Sequence, residues 1–226
     1  MVSSFGTLDF YEFCRAFARL KKETLCDSSQ VMSKYPDIYV LRHGETVWNR
    51  AGRFQGQGDS PLTAKGQVQA GAQNQLLKDL VLNWGGMDFY SSPLGRCVET
   101  AELALSGLCD GFEQDLRLRE VDFGAWEGLT LDEIERGWPE LDHEGNPFMW
   151  NFISPGGEAF EEISRRVESF LGDLKRPSVI VSHGITGRIL RGLWLGLDHD
   201  GMADLKGGQG NVHCLSAESC RELRQS

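Results

Sequence analysis

At 226 residues with 40% hydrophobic side chains, the chain has the length for one α/β domain with a sizeable core. Its formal net charge is −10, and almost none of that lies in residues 1–36, where five Lys/Arg face four Asp/Glu. A body that acidic argues against non-specific binding to nucleic acid or to an anionic membrane, so an anionic substrate needs a local basic pocket.

No run approaches the ~18 apolar residues of a membrane span. The N-terminus lacks the basic start and continuous apolar core of a signal peptide. The six cysteines, Cys14, Cys26, Cys97, Cys109, Cys214 and Cys220, form no C-x-x-C pair and no zinc spacing. They read as small buried hydrophobes or surface thiols in a reducing cytoplasm, and no metal or cofactor is expected.

In chain order, Thr7 caps a predicted helix to about Lys22 whose stripe is Phe10, Phe13, Cys14 and Phe17. A polar linker, Ser28 to Ser33, follows. The apolar run Ile38 to Leu41 then stops at Arg42-His43-Gly44, as a buried strand does when it opens into a polar loop. Ligands gather at the carboxyl ends of strands in open α/β sheets. A cation, a titratable nucleophile and a permissive backbone are what an oxyanion site would hold there. Residues 52–63 are rich in Gly and polar side chains and read as a loop. Thr63 caps a predicted helix from about Ala64 to Leu82 with Val68, Ala72, Leu76 and Leu80 inward.

Met87 to Tyr90 reads as a short strand, and Arg96 falls on the first turn of the helix after it. A guanidinium beside unpaired helix amides suits phosphate oxygens, whereas a surface ion pair with Glu99 or Glu102 is the plainer reading of that residue alone. Leu116 to Leu118 reads as a short strand or extended run leading to Glu120. That carboxylate reads as either solvated or half-buried beside Phe123 or Trp126, with Asp122 and Glu127 as rivals for any acid role. Thr130 caps a short helix to about Arg136, and the irregular stretch 137–155 reads as a lid or wall. A helix is predicted over Gly157 to Leu174, with Phe160, Ile163, Val167, Phe170 and Leu174 on one face. The β-branched strand Ser178 to Ser182 delivers His183 to its end, and a helix from about Ile185 to Leu195 follows. Asn211 to Leu215 reads as a last strand, and residues 216–226 as a loose tail.

Four segments, Arg42-His43-Gly44-Glu45-Thr46-Val47-Trp48-Asn49, Ser91 to Ala101, Arg119 to Gly128 and Ser178 to Gly184, resemble in order the signatures of the histidine phosphatase superfamily, the phosphoglycerate-mutase-like enzymes. The likeness covers about Asp37 to Ala217. It implies an α/β three-layer sandwich with a mostly parallel central sheet flanked by helices, and metal-free phosphoryl transfer through a phosphohistidine. Carried over by motif, His43 is the nucleophile, Glu120 the proton donor, and Arg42, Arg96 and protonated His183 the phosphate ligands. Burial and bound phosphate would raise the pKa of Glu120 toward that role. Asn49, Gly44, Gln55 and Gly184 are expected to contact phosphate or substrate.

Family members begin shortly before the first strand. Residues 1–31 are therefore read as a helical appendage and 32–226 as the catalytic domain. The stretch after Glu120 resembles the phosphatase branch rather than the mutases. Between Glu120 and Pro155 the chain has eight acids and only Arg136 as a cation, an acidic wall that disfavours a doubly anionic mutase substrate. The expected partner is a small phosphomonoester in the cytoplasm, with a homo-oligomer left open. A mutase and a non-catalytic phosphate binder are the alternatives.

Overall fold

The computed structural model describes residues 34–80, 84–141, 146–216 and 219–224. The helix and linker expected over residues 1–31 lie outside the described residues. The elements in chain order are β1 (Ile38–Arg42), α1 (Val47–Arg50), α2 (Ala64–Leu80), β2 (Asp88–Ser91), α3 (Gly95–Ala104), β3 (Glu113–Gln114), α4 (Leu131–Gly137), α5 (Phe160–Asp173), β4 (Ser178–Ser182), α6 (Gly184–Leu195), α7 (His199–Asp204), β5 (Val212–Ser216) and β6 (Ser219–Leu223).

The strands form one sheet of six in the order β3-β2-β4-β1-β5-β6. The first four neighbours run parallel; β5 lies antiparallel on β1, and β6 antiparallel on β5. β1 and β4, the two central strands, read as apolar runs because both of their faces are covered. On one face Ile38, Val40 and Ile180 pack with Ile163, Val167 and Phe170 of α5 and with Ile189, Leu190 and Trp194 of α6. On the other, Leu41, Val179 and Val181 pack with Leu77 of α2 and with Cys97, Ala101 and Ala104 of α3. This is the expected three-layer α/β sandwich. Among the described residues no helix is long and apolar enough to cross a membrane.

Local chemistry sets the helix starts. The Thr63 hydroxyl accepts from the Gly66 amide at 3.1 Å, and Thr130 closes a capping box with Glu133 at the start of α4. Four expectations change. The inward face of α2 is Gly66, Ala70, Gln73 and Leu77, while Val68 is 72% exposed. Small residues let the helix lie close to the loop after β1, and Gln73 is drawn inward because its amide donates to Arg42 O and Asn211 O. Leu116–Leu118 is a 3-10 turn, capped by the Asp115 side chain on Arg117 N, rather than a strand. Helix α5 begins at Phe160, after the irregular stretch 154–159. Residues 219–223, read as tail, form the edge strand β6.

The approach of α2 to the loop after β1 depends on two glycines. A Cβ on Gly44 would sit 2.3 Å from Gly66 O, and one on Gly66 would sit 2.2 Å from Glu45 O. Gly71, on the outer face of the same helix, has nothing within 4 Å of that position. The pair makes a test within one helix. Gly71→Ala should stabilise by roughly 0.5–1 kcal/mol through helix propensity. Gly66→Ala should instead cost about 2–3 kcal/mol through overpacking against backbone. Thermal unfolding would read the second as a fall in Tm of about 4–12 °C.

Candidate active site

The register of β1 on β4 builds the site. Arg42 is paired with Ser182, so the next residue of each strand is a histidine, and the His43 amide extends the ladder to Ser182 O at 3.0 Å. The two rings lie edge to face with centroids 5.2 Å apart. Both are buried at the carboxyl end of the central strands, and His183 is also the residue that opens α6.

Hydrogen bonding decides what His43 can do. Its Nδ1 lies 2.8 Å from Gly44 O, which can only accept, so Nδ1 carries the proton and Nε2 keeps its lone pair. Burial, then Arg42 and Arg96, hold its pKa well below the ordinary histidine range. The ring is therefore neutral and nucleophilic at physiological pH. Burial, then Arg96 and His43, depress His183 in the same way. Burial and these neighbouring cations therefore favour the neutral ring of His183. A bound phosphate dianion would favour its protonation. Its Nε2 is 2.7 Å from the Ser92 hydroxyl, and the Cys97 thiol, kept protonated by burial, lies 3.4 Å away.

The two arginines differ. Arg42 extends over the start of α6, where a Cβ on Gly184 would stand 3.2 Å from the guanidinium carbon. Its buried Nε has no partner among the described residues. Such a donor costs about 1–3 kcal/mol when unsatisfied. Arg96 is almost fully buried at 1% exposure, and it pairs with neither Glu99 nor Glu102. Its terminal nitrogens donate to Gly56 O, Gly58 O and Asp59 of the loop 52–63. That loop is tied from the other side by Glu127, which accepts from the Gln57 and Gly58 amides.

Glu120 is buried at the N-terminus of α6. Its oxygens accept from the Ile185 and Thr186 amides at 3.2 and 3.0 Å, and the Thr186 hydroxyl lies 3.0 Å away. Of its rivals, Asp122 caps the Gly124 amide and Glu127 shapes the loop, and neither lines the cavity. Glu120 is the single carboxylate among the described residues that does so.

His43, His183, Arg42, Arg96, Glu120, Asn49, Gln55 and Gly184 all line one cavity of about 320 Å³. Asn49 points its carbonyl at Thr46 N and Gln209, and buried Gln55 accepts from the Ser60 hydroxyl. Gly44 is not on the cavity surface; its carbonyl holds His43 and its amide donates to the Thr100 hydroxyl.

The profile of the histidine phosphatase superfamily (branch 1) matches residues 38–223. The chain belongs to that superfamily. It is 39% identical over 168 residues to a protein named probable phosphoglycerate mutase GpmB from Salmonella paratyphi C, covering 71% of this chain and 75% of that one. Among solved structures it resembles YhfR of Bacillus stearothermophilus, at 31% identity and TM-score 0.68, covering 82% of this chain and 94% of that one. It also resembles a putative alpha-ribazole-5'-P phosphatase from Escherichia coli K-12, at 25% identity and TM-score 0.69, covering 85% and 97%.

For this histidine phosphatase superfamily chain the acidic wall needs correcting. Asp142 and Glu144 lie outside the described residues, and none of the other six acids between Glu120 and Pro155 lines the cavity. Their carboxylates cap helices and turns or face solvent, because backbone amides and water satisfy charge better than an apolar wall does. The segment 137–155 contributes a packed aromatic wall instead. Trp150 stacks on Trp126 with centroids 4.4 Å apart, and Phe54 meets both edge to face. Among the described residues of that segment, only Asn151 reaches the cavity. The cations come from elsewhere: Arg53, Arg188 and Arg191 line it too. Sequence reading missed Arg188 and Arg191. It also missed Thr186, whose amide and hydroxyl hold Glu120. The signal for the arginines was their spacing from Gly184 on one predicted helix face.

Proposed function

We propose that this chain is a metal-independent phosphomonoester hydrolase that works through a phosphohistidine on Nε2 of His43. The observation that carries the reading is the Nδ1 contact with Gly44 O, which leaves an unprotonated Nε2 on a cavity lined by arginines and one carboxylate. A phosphate monoester brings close to two negative charges. Arg42, Arg96 and His183 neutralise its non-bridging oxygens as charge builds in the transition state. Nε2 attacks phosphorus in line and the bond to the alcohol oxygen breaks. Glu120 gives that oxygen its proton. Glu120, now a carboxylate, takes a proton from water; the hydroxide attacks phosphorus, and the P–N electron pair returns to Nε2. Asn49 and Gln55 contact the substrate from the rim.

A mutase reading also has an observation in its favour. The cavity holds arginines beyond those that phosphate requires, and a relative bears a mutase name. Phosphate release from monoesters and interconversion of 2- and 3-phosphoglycerate, primed with 2,3-bisphosphoglycerate, should be measured on one preparation in excess EDTA. Hydrolysis should persist and exceed mutase turnover. Mutase turnover more than about tenfold above hydrolysis, a preference of over about 1.4 kcal/mol, would establish the mutase instead. Loss of activity on chelation, restored by magnesium or manganese, would rule out the metal-free mechanism.

A further inference from the structure

The turn from Lys206 to Asn211 joins α7 to β5 and places Gly207 and Gly208 on the cavity lining. Both of its ends are fastened. Lys206 O accepts from the Arg191 guanidinium at 2.9 Å, and Asn211 O accepts from the Gln73 amide at 3.0 Å. Gly208 and Gly210 take φ angles of 153° and 79°, which a side chain would oppose, so the backbone doubles back on itself. Gln209 stands between those two glycines. Its Nε2 donates to Asn49 Oδ1 at 3.0 Å, across 160 positions of the chain.

That bond helps to select one of two orientations of the Asn49 amide. Thr46 N lies 3.3 Å from the same atom, and a backbone amide can only donate, so the Asn49 atom facing both is the oxygen. The Gln209 atom facing that oxygen must then be its nitrogen. Without Gln209 the Asn49 oxygen would keep only the longer contact, inside a helix of four residues that buries none of them.

The other end of the Asn49 amide is what the cavity receives. Asn49 lines the cavity, and its Nδ2 makes no hydrogen bond with the described residues. With its oxygen engaged twice, Asn49 offers an anion a donor. The reversed amide would turn a lone pair toward phosphate instead. Gln209 itself is not on the cavity lining, so it acts only through Asn49.

We propose that Gln209 is a positioning residue for phosphoryl transfer: it holds the Asn49 amide with its nitrogen free for the anionic substrate. This rests on the hydrolase reading above and on the rim contact of Asn49.

The test uses two variants of the full chain. Gln209→Met keeps the length and loses the donor; Gln209→Glu keeps the shape and puts an acceptor where the donor was. Gln209→Met should lower kcat/KM for p-nitrophenyl phosphate by about three- to tenfold, the cost of a loosened contact to a charged group. Gln209→Glu should lower it by about ten- to a hundredfold, because its carboxylate draws the Asn49 NH₂ away from the cavity. Calorimetric binding of orthovanadate should weaken by similar factors. The same substitutions in Asn49→Ala separate positioning from packing. There Gln209→Met should change either readout by less than about twofold, and Gln209→Glu should retain only the part of its loss that comes from charge. Gln209→Met within about twofold of wild type on both readouts would overturn the proposal and leave the hydrolase standing. An equal loss with and without the Asn49 side chain would do the same, since a packing role would act in both backgrounds. No hydrolysis by the wild type, with orthovanadate binding that weakens in Gln209→Met only when Asn49 is present, would support the positioning role and sink the hydrolase reading alone.

Discussion

Denaturant quenching after brief exposure to a phosphomonoester should leave phosphate on His43, stable in alkali and lost in acid. His43→Ala should abolish the adduct and cut turnover by roughly four to six orders of magnitude, or about 5–8 kcal/mol of transition-state stabilisation. The size of the effect follows from the site. His183 is 5.2 Å away, ring to ring, and faces Ser92 and Cys97, so it is not placed to replace the missing nucleophile. The pH profile supplies an internal check. Because the His43 pKa is lowered, the ring stays unprotonated as pH falls past the ordinary histidine value of 6.5. The acid limb of kcat/KM that belongs to the nucleophile should therefore lie below that value. Near-normal turnover in His43→Ala would end the phosphohistidine mechanism.

Glu120→Gln should produce the second largest effect, and an uneven one. General acid catalysis contributes roughly 10²–10⁴-fold, and it matters most when the leaving oxygen is a strong base. An alkyl phosphate should lose activity in that range, while p-nitrophenyl phosphate, whose leaving group needs little protonation, should lose far less. The substitution has a structural side as well. Two helix amides now share a carboxylate, and a glutamine would turn its own NH₂ toward one of them. A loss from that misfit would fall on both substrates alike, so the ratio of the two separates chemistry from placement. Equal losses would demote Glu120 to a binding role.

Much of this architecture was legible because it rests on local signals. The two central strands are apolar on both faces and each stops at a histidine, which marks the ends of β1 and β4 in the sequence. Capping threonines marked the starts of α2 and α4. What was not legible depends on where segments meet. Val68 fits an inward stripe by period, yet the inward face of α2 was chosen by the Gly44–Gly66 approach and by the two carbonyls that Gln73 serves. The tail became β6 because β5 left it an open edge to pair with. The acidic stretch after Glu120 misled for the same reason: proximity in sequence to a site residue does not put a side chain on the site. The helix after His183 was expected, but the lining that its Arg188 and Arg191 form is visible only once that helix is docked.

The pairing of β1 with β4 also has a kinetic meaning. Neither histidine can be positioned by its own neighbourhood. Each needs the other strand in exact register, and those strands come from opposite ends of the domain with β2 and α2, α3 and α5 made between them. Closing so long a loop costs entropy before any contact rewards it, so such parallel pairings form slowly. Helical signal can return during refolding while the two rings are still apart. The active centre is then a reporter of completed folding: catalytic competence marks the moment at which the distant halves of the sheet have zipped together.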